Sequence, residues 1–349
     1  MKKGVLFINL GTTSAPDPKP TGAYLREFLS DPYVIDLPNP IRWMLVNWLI
    51  VPRRQSKSAK AYKSIWTQEG SPLLVHSQKF LAQVQRLISS EWEVELGMRY
   101  GKPSINQSLE VLRQKGVEDL FLLPLYPQFA DSSTTTALLK VVKELKEMEW
   151  TLRSVQYLGY FFWHPAFTRS LAQRVRAAMN MFSADHLLLS YHSLPERHLQ
   201  KRSNLNCQFD QQCCLTWSEG NKLCYRAQCF ATSRLLLEEL NWPAKKASTV
   251  FQSLFGRSRW IGPNLESELS RLVASGVKKV LVSCPCFVVD CLETLEEVGI
   301  RARQSFREMG GEELYLVEGL NSHSDWAKAA ALLVECDGWK PVDVEADIK

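Results

Sequence analysis

The sequence predicts an α/β protein of two similar domains, each a parallel sheet flanked by helices, facing one another with their strand ends around a cleft. Three observations carry that reading. A chain of 349 residues suffices for two domains or one large one. Short continuous apolar runs recur between Gly, Pro and hydroxyl residues, as strands buried on both faces require. One helix–turn–strand unit also occurs twice. Leu109-x-x-Leu112-x-x-x-Gly116-Val117-x-x-Leu120-Phe121-Leu122 superimposes on Leu269-x-x-Leu272-x-x-x-Gly276-Val277-x-x-Val280-Leu281-Val282 at an offset of 160 residues. Many α/β units share this pattern, so it argues for architecture and not for function. It divides the chain into domains 1–160 and 161–349.

Composition narrows the function classes. The chain is 45% hydrophobic and 23% charged, ordinary for a globular protein. It lacks the run of about 18 apolar residues that a spanning helix needs. The opening Met1-Lys2-Lys3 is followed by only four apolar residues before Asn9, which reads as a first strand and not a signal peptide, so a cytoplasmic location is expected. A net charge of +5 without charged blocks gives no support for a nucleic-acid partner. Nine cysteines without a secretion signal point to free thiols or metal ligands before disulfides.

Taken in order, Gly4 to Leu10 is the opening strand, ending in the small residues Gly11-Thr12-Thr13-Ser14, an ending compatible with close approach of a ligand. Neither GxGxxG nor GxxxxGKS/T occurs, which counts against a nucleotide site. Residues 40–52 form an apolar stretch with Trp43 and Trp48. It reads either as a buried helix or as an exposed lip for a flat hydrophobic ligand or the membrane surface, with Arg53, Arg54 and Lys57 at hand for anionic groups. Val94 to Arg99 is a strand, Ile105 to Gln114 a helix capped by Gly116, and Leu120 to Leu123 a buried strand leading to Tyr126. Ser132 to Thr136 is expected to open a helix with a hydroxyl N-cap.

In the second half the apolar run Leu187-Leu188-Leu189 ends at Ser190-Tyr191-His192-Ser193-Leu194-Pro195, which puts His192 at a strand's C-terminal edge. A second strand ends near Ser283, and a helix is expected from about Asp290. On it Asp290, Glu293 and Glu297 share one face, either as a solvated stripe or as working carboxylates. The stripe begins at a strand edge, as His192 does.

His192-Ser193-Leu194-Pro195 and Asp290-Cys291-Leu292-Glu293-Thr294-Leu295 together resemble the ferrochelatase family. Asn9-Leu10-Gly11, Arg99-Tyr100, Tyr126-Pro127-Gln128, Phe251-Gln252-Ser253 and Trp260-x-Gly262-Pro263 extend the resemblance over nearly the whole chain. It implies two Rossmann-like, chelatase-type domains around a porphyrin cleft. It also implies insertion of Fe²⁺ into protoporphyrin IX to give haem b, the final step of haem biosynthesis. His192 and Glu293 are then the catalytic residues and those that meet the iron. Tyr62, Tyr126, Trp260 and the lip line the cleft, while Arg53, Arg54 and Ser71 meet the propionates. Peripheral contact at the inner face of the membrane is also expected. Where the family commonly has Cys-Pro-Gly-Phe, this chain has Cys284-Pro285-Cys286-Phe287, so its backbone there must tolerate a Cβ. Arg301 stands beyond Glu297 where some relatives continue the acids.

The chemistry suits these residues. A free-base porphyrin loses two pyrrole protons while hydrated Fe²⁺ sheds water. A histidine accepts a proton near neutral pH or ligates the metal, and carboxylates relay protons or deliver the cation.

Residues 201–229 are a polar insert holding Cys207, Cys213, Cys214, Cys224 and Cys229. The paired knuckles of structural zinc are absent, and the looser spacing suits an iron–sulfur cluster. Some bacterial ferrochelatases carry a 2Fe–2S cluster on such a segment, and the resemblance implies Cys207, Cys213, Cys214 and Cys224 as ligands, although adjacent Cys213 and Cys214 make an awkward pair. Zinc and free thiols remain alternatives. Two other functions stay open at this level: a related chelatase for coproporphyrin III or another tetrapyrrole, and a non-catalytic haem- or iron-binding redox sensor.

Overall fold

Two parallel sheets of the same strand order organise the chain, seen here in a computed structural model that describes residues 2–201, 207, 212–254 and 258–342. The first contains β1 (Lys3–Gly11), β2 (Trp92–Tyr100), β3 (Asp119–Pro124) and β4 (Ser154–Tyr157), in the order β2-β1-β3-β4. The second contains β5 (His186–His192), β6 (Ala247–Gln252), β7 (Lys279–Ser283) and β8 (Glu313–Leu316), in the order β6-β5-β7-β8. All these pairings are parallel, so each connection is a crossover that carries helices over the sheet. The first sheet gains a short antiparallel edge, β9 (Lys340–Pro341), against β4.

Burial explains why the strands read as unbroken apolar runs. Val5, Leu6, Phe7 and Ile8 of β1 are all 0% exposed, and so are Leu187, Leu188 and Leu189 of β5. With helices on both faces, the middle of a central strand is apolar on both sides, and polar residues such as Asn9, His186 and Ser190 fall toward the strand ends.

The repeated motif has one physical meaning in both sheets. Gly116 and Gly276 adopt φ of +76° and +87°, and the following valine N–H donates to the leucine carbonyl five residues earlier, Val117 to Leu112 and Val277 to Leu272. This is the Schellman closure of a helix, and it returns the chain into β3 and β7.

The chain forms two units. The first comprises the described residues of Met1–Tyr126, Asp131–Tyr160 and Ser322–Lys349, and the second Pro127–Ala130 and Phe161–Asn321. The repeat assigned everything after 160 to the second domain, yet the Ser324–Val334 helix packs on the Pro72–Leu87 helix of the first unit. There Trp326 stacks on Phe80, ring centroids 5.6 Å apart. The repeat ends at Val282 and holds no information about where later helices dock.

Three local differences matter for the site. The apolar stretch satisfies both of its readings: Val46, Ile50 and Val51 are buried, whereas Ile41, Trp43, Met44, Trp48 and Leu49 are exposed. It runs as the Asn39–Met44 helix, a π-helical turn over Leu45–Ile50 and the Val51–Ile65 helix. A π turn over Asp131–Thr135 also precedes the Thr136–Glu147 helix, so no hydroxyl caps it; the Thr135 hydroxyl donates instead to Asp131, 2.6 Å away. Residues 202–206 and 208–211 of the insert lie outside the described residues. Among the described residues no helix is long and apolar enough to cross a membrane.

Candidate functional site

In a sheet ordered β6-β5-β7-β8 the chain reverses direction between β5 and β7, and the crevice at their C-terminal ends is where such folds bind ligands. His192 is the last residue of β5. Its Nδ1 lies 2.6 Å from the Ser193 carbonyl oxygen. A carbonyl only accepts, so Nδ1 carries the proton and Nε2 keeps its lone pair for a proton or a metal.

The backbone of His192 is held from both sides. Its N–H donates to Cys286 Sγ at 3.3 Å, and its carbonyl accepts from the Tyr225 hydroxyl at 2.9 Å. Cys286 is not among the residues of positive φ, so its Cβ sits without strain, as the sequence required. Burial pushes its thiol up to about 12, which keeps it neutral and available as a bonding partner.

The acids lie on a widened helix. Glu293–Ala302 is π-helical, so residues four to five apart stand above one another and Glu297 follows Glu293 by about one turn. Asp290 departs from the expected stripe. It precedes the helix and is buried, with its carboxylate accepting from Thr294 Oγ1 (2.8 Å), Gly319 N (3.0 Å) and Asn321 Nδ2 (2.7 Å). A carboxylate so committed anchors the helix start and has little capacity left for a cation. Arg301 pairs with Glu296 at 2.9 Å on the exposed side.

Two residues without a predicted role fix the constellation. Gln252, 1% exposed at the end of β6, accepts from Ser190 Oγ at 2.5 Å and donates to the Glu293 carbonyl at 2.7 Å. Its own carbonyl accepts from Ser193 N at 2.8 Å. One side chain and one peptide thus tie the His192 strand end to the start of the acidic helix. Ser253, at a φ of +69°, donates to both oxygens of Glu297, from N at 2.8 Å and from Oγ at 2.5 Å. Burial, the largest influence, pushes the Glu297 carboxyl above its ordinary range; Ser253 and His192 pull it down and Glu293 pushes it up further. His192, Glu293 and Glu297 therefore share one electrostatic site. Phe251-Gln252-Ser253 was visible as a motif, but the positive φ and the hydrogen bonds were not.

Trp260 joins this unit through a bridge to Pro195, with the Ile261 N–H donating to the Leu194 carbonyl at 2.9 Å. The other residues expected to meet the porphyrin belong to the first unit. Ser71, 3% exposed, meets the Thr12 hydroxyl at 2.9 Å. Tyr62 packs edge-on against Tyr24, whose hydroxyl donates to the Gly11 carbonyl at 3.2 Å. Both thus gather at the C-terminal end of β1. Arg53 and Arg54 directly follow the apolar stretch, with Arg53 Nη1 on the Leu49 carbonyl at 3.3 Å. Tyr126 follows β3, and its buried hydroxyl has no hydrogen-bond partner among the described residues.

Near the Tyr225–Leu240 helix, Cys213 and Cys214 Sγ are 3.8 Å apart, and Arg226 Nη1 donates to Cys214 Sγ at 3.2 Å. Cys229 lies inside that helix, fully buried. Among the described residues no three His, Cys, Asp or Glu side chains are placed to hold a metal ion.

Comparison with known proteins bears directly on this geometry. The ferrochelatase family profile matches residues 2–337. A ferrochelatase of Coxiella burnetii (strain CbuK_Q154) is 43% identical over 96% of this chain and 93% of its own length. One from Legionella pneumophila (strain Philadelphia 1) is 42% identical over 96% and 99%. Among solved structures, SirB from Bacillus subtilis with Fe³⁺ superimposes with a TM-score of 0.55 at 13% identity, covering 96% of this chain and 95% of SirB; this likeness speaks for the fold alone. The arrangement of sheets, the strand-end histidine and the paired carboxylates thus occur in a chain that belongs to the ferrochelatase family.

Proposed function

We propose that this ferrochelatase inserts Fe²⁺ into protoporphyrin IX to form haem b, with His192 and Glu293 carrying the chemistry. The observation that carries the site assignment is the fixed tautomer of His192: Nδ1–H is spent on Ser193, leaving Nε2 basic within the field of Glu293 and Glu297. Fe²⁺ is a substrate here. Its entry requires two pyrrole protons to leave the ring, and the lone pair on Nε2 offers an acceptor for one of them. Glu297, held high by burial and tied to Ser253, takes up or passes on a proton more readily than an exposed acid. Glu293, its backbone fixed by Gln252, offers a carboxylate to iron or to a proton. In this reading the exposed Trp43, Met44 and Trp48, with Tyr62, Tyr126 and Trp260, meet the apolar macrocycle, and Arg53, Arg54 and Ser71 its propionates. The exposed lip also suits contact with a membrane surface.

The cysteine insert reads best as a thiolate site for a 2Fe–2S cluster held by Cys207, Cys213, Cys214 and Cys224. The 3.8 Å between Cys213 and Cys214 Sγ is about the separation of two thiolates on one tetrahedral metal at about 2.3 Å, which supports the adjacent pair as ligands. Arg226 supplies the positive charge that buried thiolates need. When bound, the cluster contributes a cross-link of the segment and a redox centre.

The test is anaerobic incubation with Fe²⁺ and, separately, protoporphyrin IX, coproporphyrin III and sirohydrochlorin, followed at the Soret band. Metalation of protoporphyrin is expected, with kcat falling by roughly 10²–10⁴ in His192→Ala and in Glu293→Gln. Full activity in both variants would overturn the site assignment. Iron and sulfide analysis of freshly purified protein tests the cluster.

A further inference from the structure

Tyr225 and Arg226 open the helix that follows the cysteine insert, and both reach the strand end that carries His192. Cys224, immediately before them, is the N-cap residue of that helix and is 4% exposed. The Tyr225 hydroxyl donates to the His192 carbonyl at 2.9 Å. It also contacts the Cys286 thiol, the acceptor of the His192 N–H. The peptide groups on the two sides of His192 are therefore held by a pair of side chains that touch each other. Arg226, 5% exposed, spans in parallel: Nη1 donates to Cys214 Sγ, and Nε and Nη2 donate to the Gly262 carbonyl at 3.2 and 3.1 Å. The preceding Ile261 carbonyl accepts from Ser193 Oγ at 2.8 Å, next to His192.

The N–H and carbonyl of His192 itself both bond to side chains, so these side chains decide its orientation. We propose that Tyr225 is a positioning residue for His192 and that, with Arg226, it couples the thiol-bearing segment to the catalytic strand end. A displacement of Cys224 moves the first turn of the helix, and Tyr225 carries that movement to the His192 carbonyl. The inference deepens the reading of the insert as a thiolate site, but its contacts are those of protein atoms alone.

The experiment is a double-mutant cycle on the full chain, read from the imidazole ¹⁵N resonances of His192. The chain has six histidines, and the His192 signal is identified by its loss in His192→Ala. Tyr225→Phe and Cys224→Ser are each expected to shift that signal. In the Tyr225→Phe background the Cys224→Ser shift is expected to fall to half or less, the signature of coupling. Tyr225→Phe should also lower kcat on the order of ten-fold while the porphyrin KM stays within about two-fold, since the group touches no substrate. An unmoved His192 signal in either single variant, or a Cys224→Ser shift that keeps more than half its size without the hydroxyl, overturns the proposal. Should either variant fail to fold, hydrogen exchange at residues 190–194 of the unaltered protein decides: slow exchange at His192 N–H is expected, and exchange as fast as in an exposed loop overturns the proposal. Iron and sulfide content of the wild-type sample separately settles the metal reading, so the two fail independently.

Discussion

At the residue scale, Glu297 makes the most exposed claim about pH. Burial raises its folded-state pKa above the unfolded value, so the folded chain binds the proton more strongly in the interval between the two. Ionised Glu297 is therefore a destabilising charge above its folded pKa, and the penalty fades as pH falls toward the ordinary carboxylate range. Glu297→Gln removes the charge and keeps partners for Ser253. Its melting temperature is expected to exceed wild type at pH 8 by about 2–4 °C for each kcal/mol recovered, with the gain vanishing near pH 4. An equal gain at both pH values would show that the charge is not the cause. The strand-end position of His192 was legible because an apolar run stops at it, whereas its role and that of Glu293 were read from the resemblance of their motifs to the ferrochelatase family. Asp290 was misread as part of a stripe, because its partners Gly319 and Asn321 are distant in sequence and only the folded loop brings them to it.

Elements give cleaner tests. Gly116 and Gly276 hold φ above +70°, and an added Cβ would meet nothing within 4 Å at either. The cost of Gly116→Ala or Gly276→Ala is then conformational alone, about 1–2 kcal/mol each and nearly equal, measurable as denaturation midpoints. Their spacing is written in the local sequence, and for that reason the two helix–strand units could be read in advance. The π-helical start at Glu293 could not, since it depends on the Asp290 anchor and the Gln252 clamp. Asp290→Ala leaves the Gly319 N–H and the Asn321 amide without their acceptor. A loss of about 3 kcal/mol is expected, with a fall in activity as the acids lose their register. Unchanged stability by urea unfolding would mean that the helix start is held otherwise.

For the whole molecule, the exposed apolar stretch predicts a surface property. Trp43 and Trp48 contact each other edge-on at 5.5 Å while remaining 52% and 63% exposed. The double substitution Trp43→Glu/Trp48→Glu should abolish sedimentation with anionic lipid vesicles and change stability by no more than about 0.5 kcal/mol. Binding that persists would remove the lip from the membrane reading. The α/β architecture of parallel sheets was legible through the duplicated unit; the destination of the C-terminal helix was not, since tertiary packing decides it.

That destination has a consequence for synthesis. Trp326, which is 0% exposed, stacks on Phe80, and Val342 N donates to the Val155 carbonyl beside the β9 edge. The first unit therefore contains a strand translated before the second unit and is finished by a helix translated after it, whereas nearly all of the second unit lies in one uninterrupted stretch. On the ribosome the usual order is reversed: the second unit can mature first while the first waits with its Phe80 face uncovered. A nascent chain stalled with residues 1–321 outside the exit tunnel should expose protease sites in its first 160 residues that the finished protein hides.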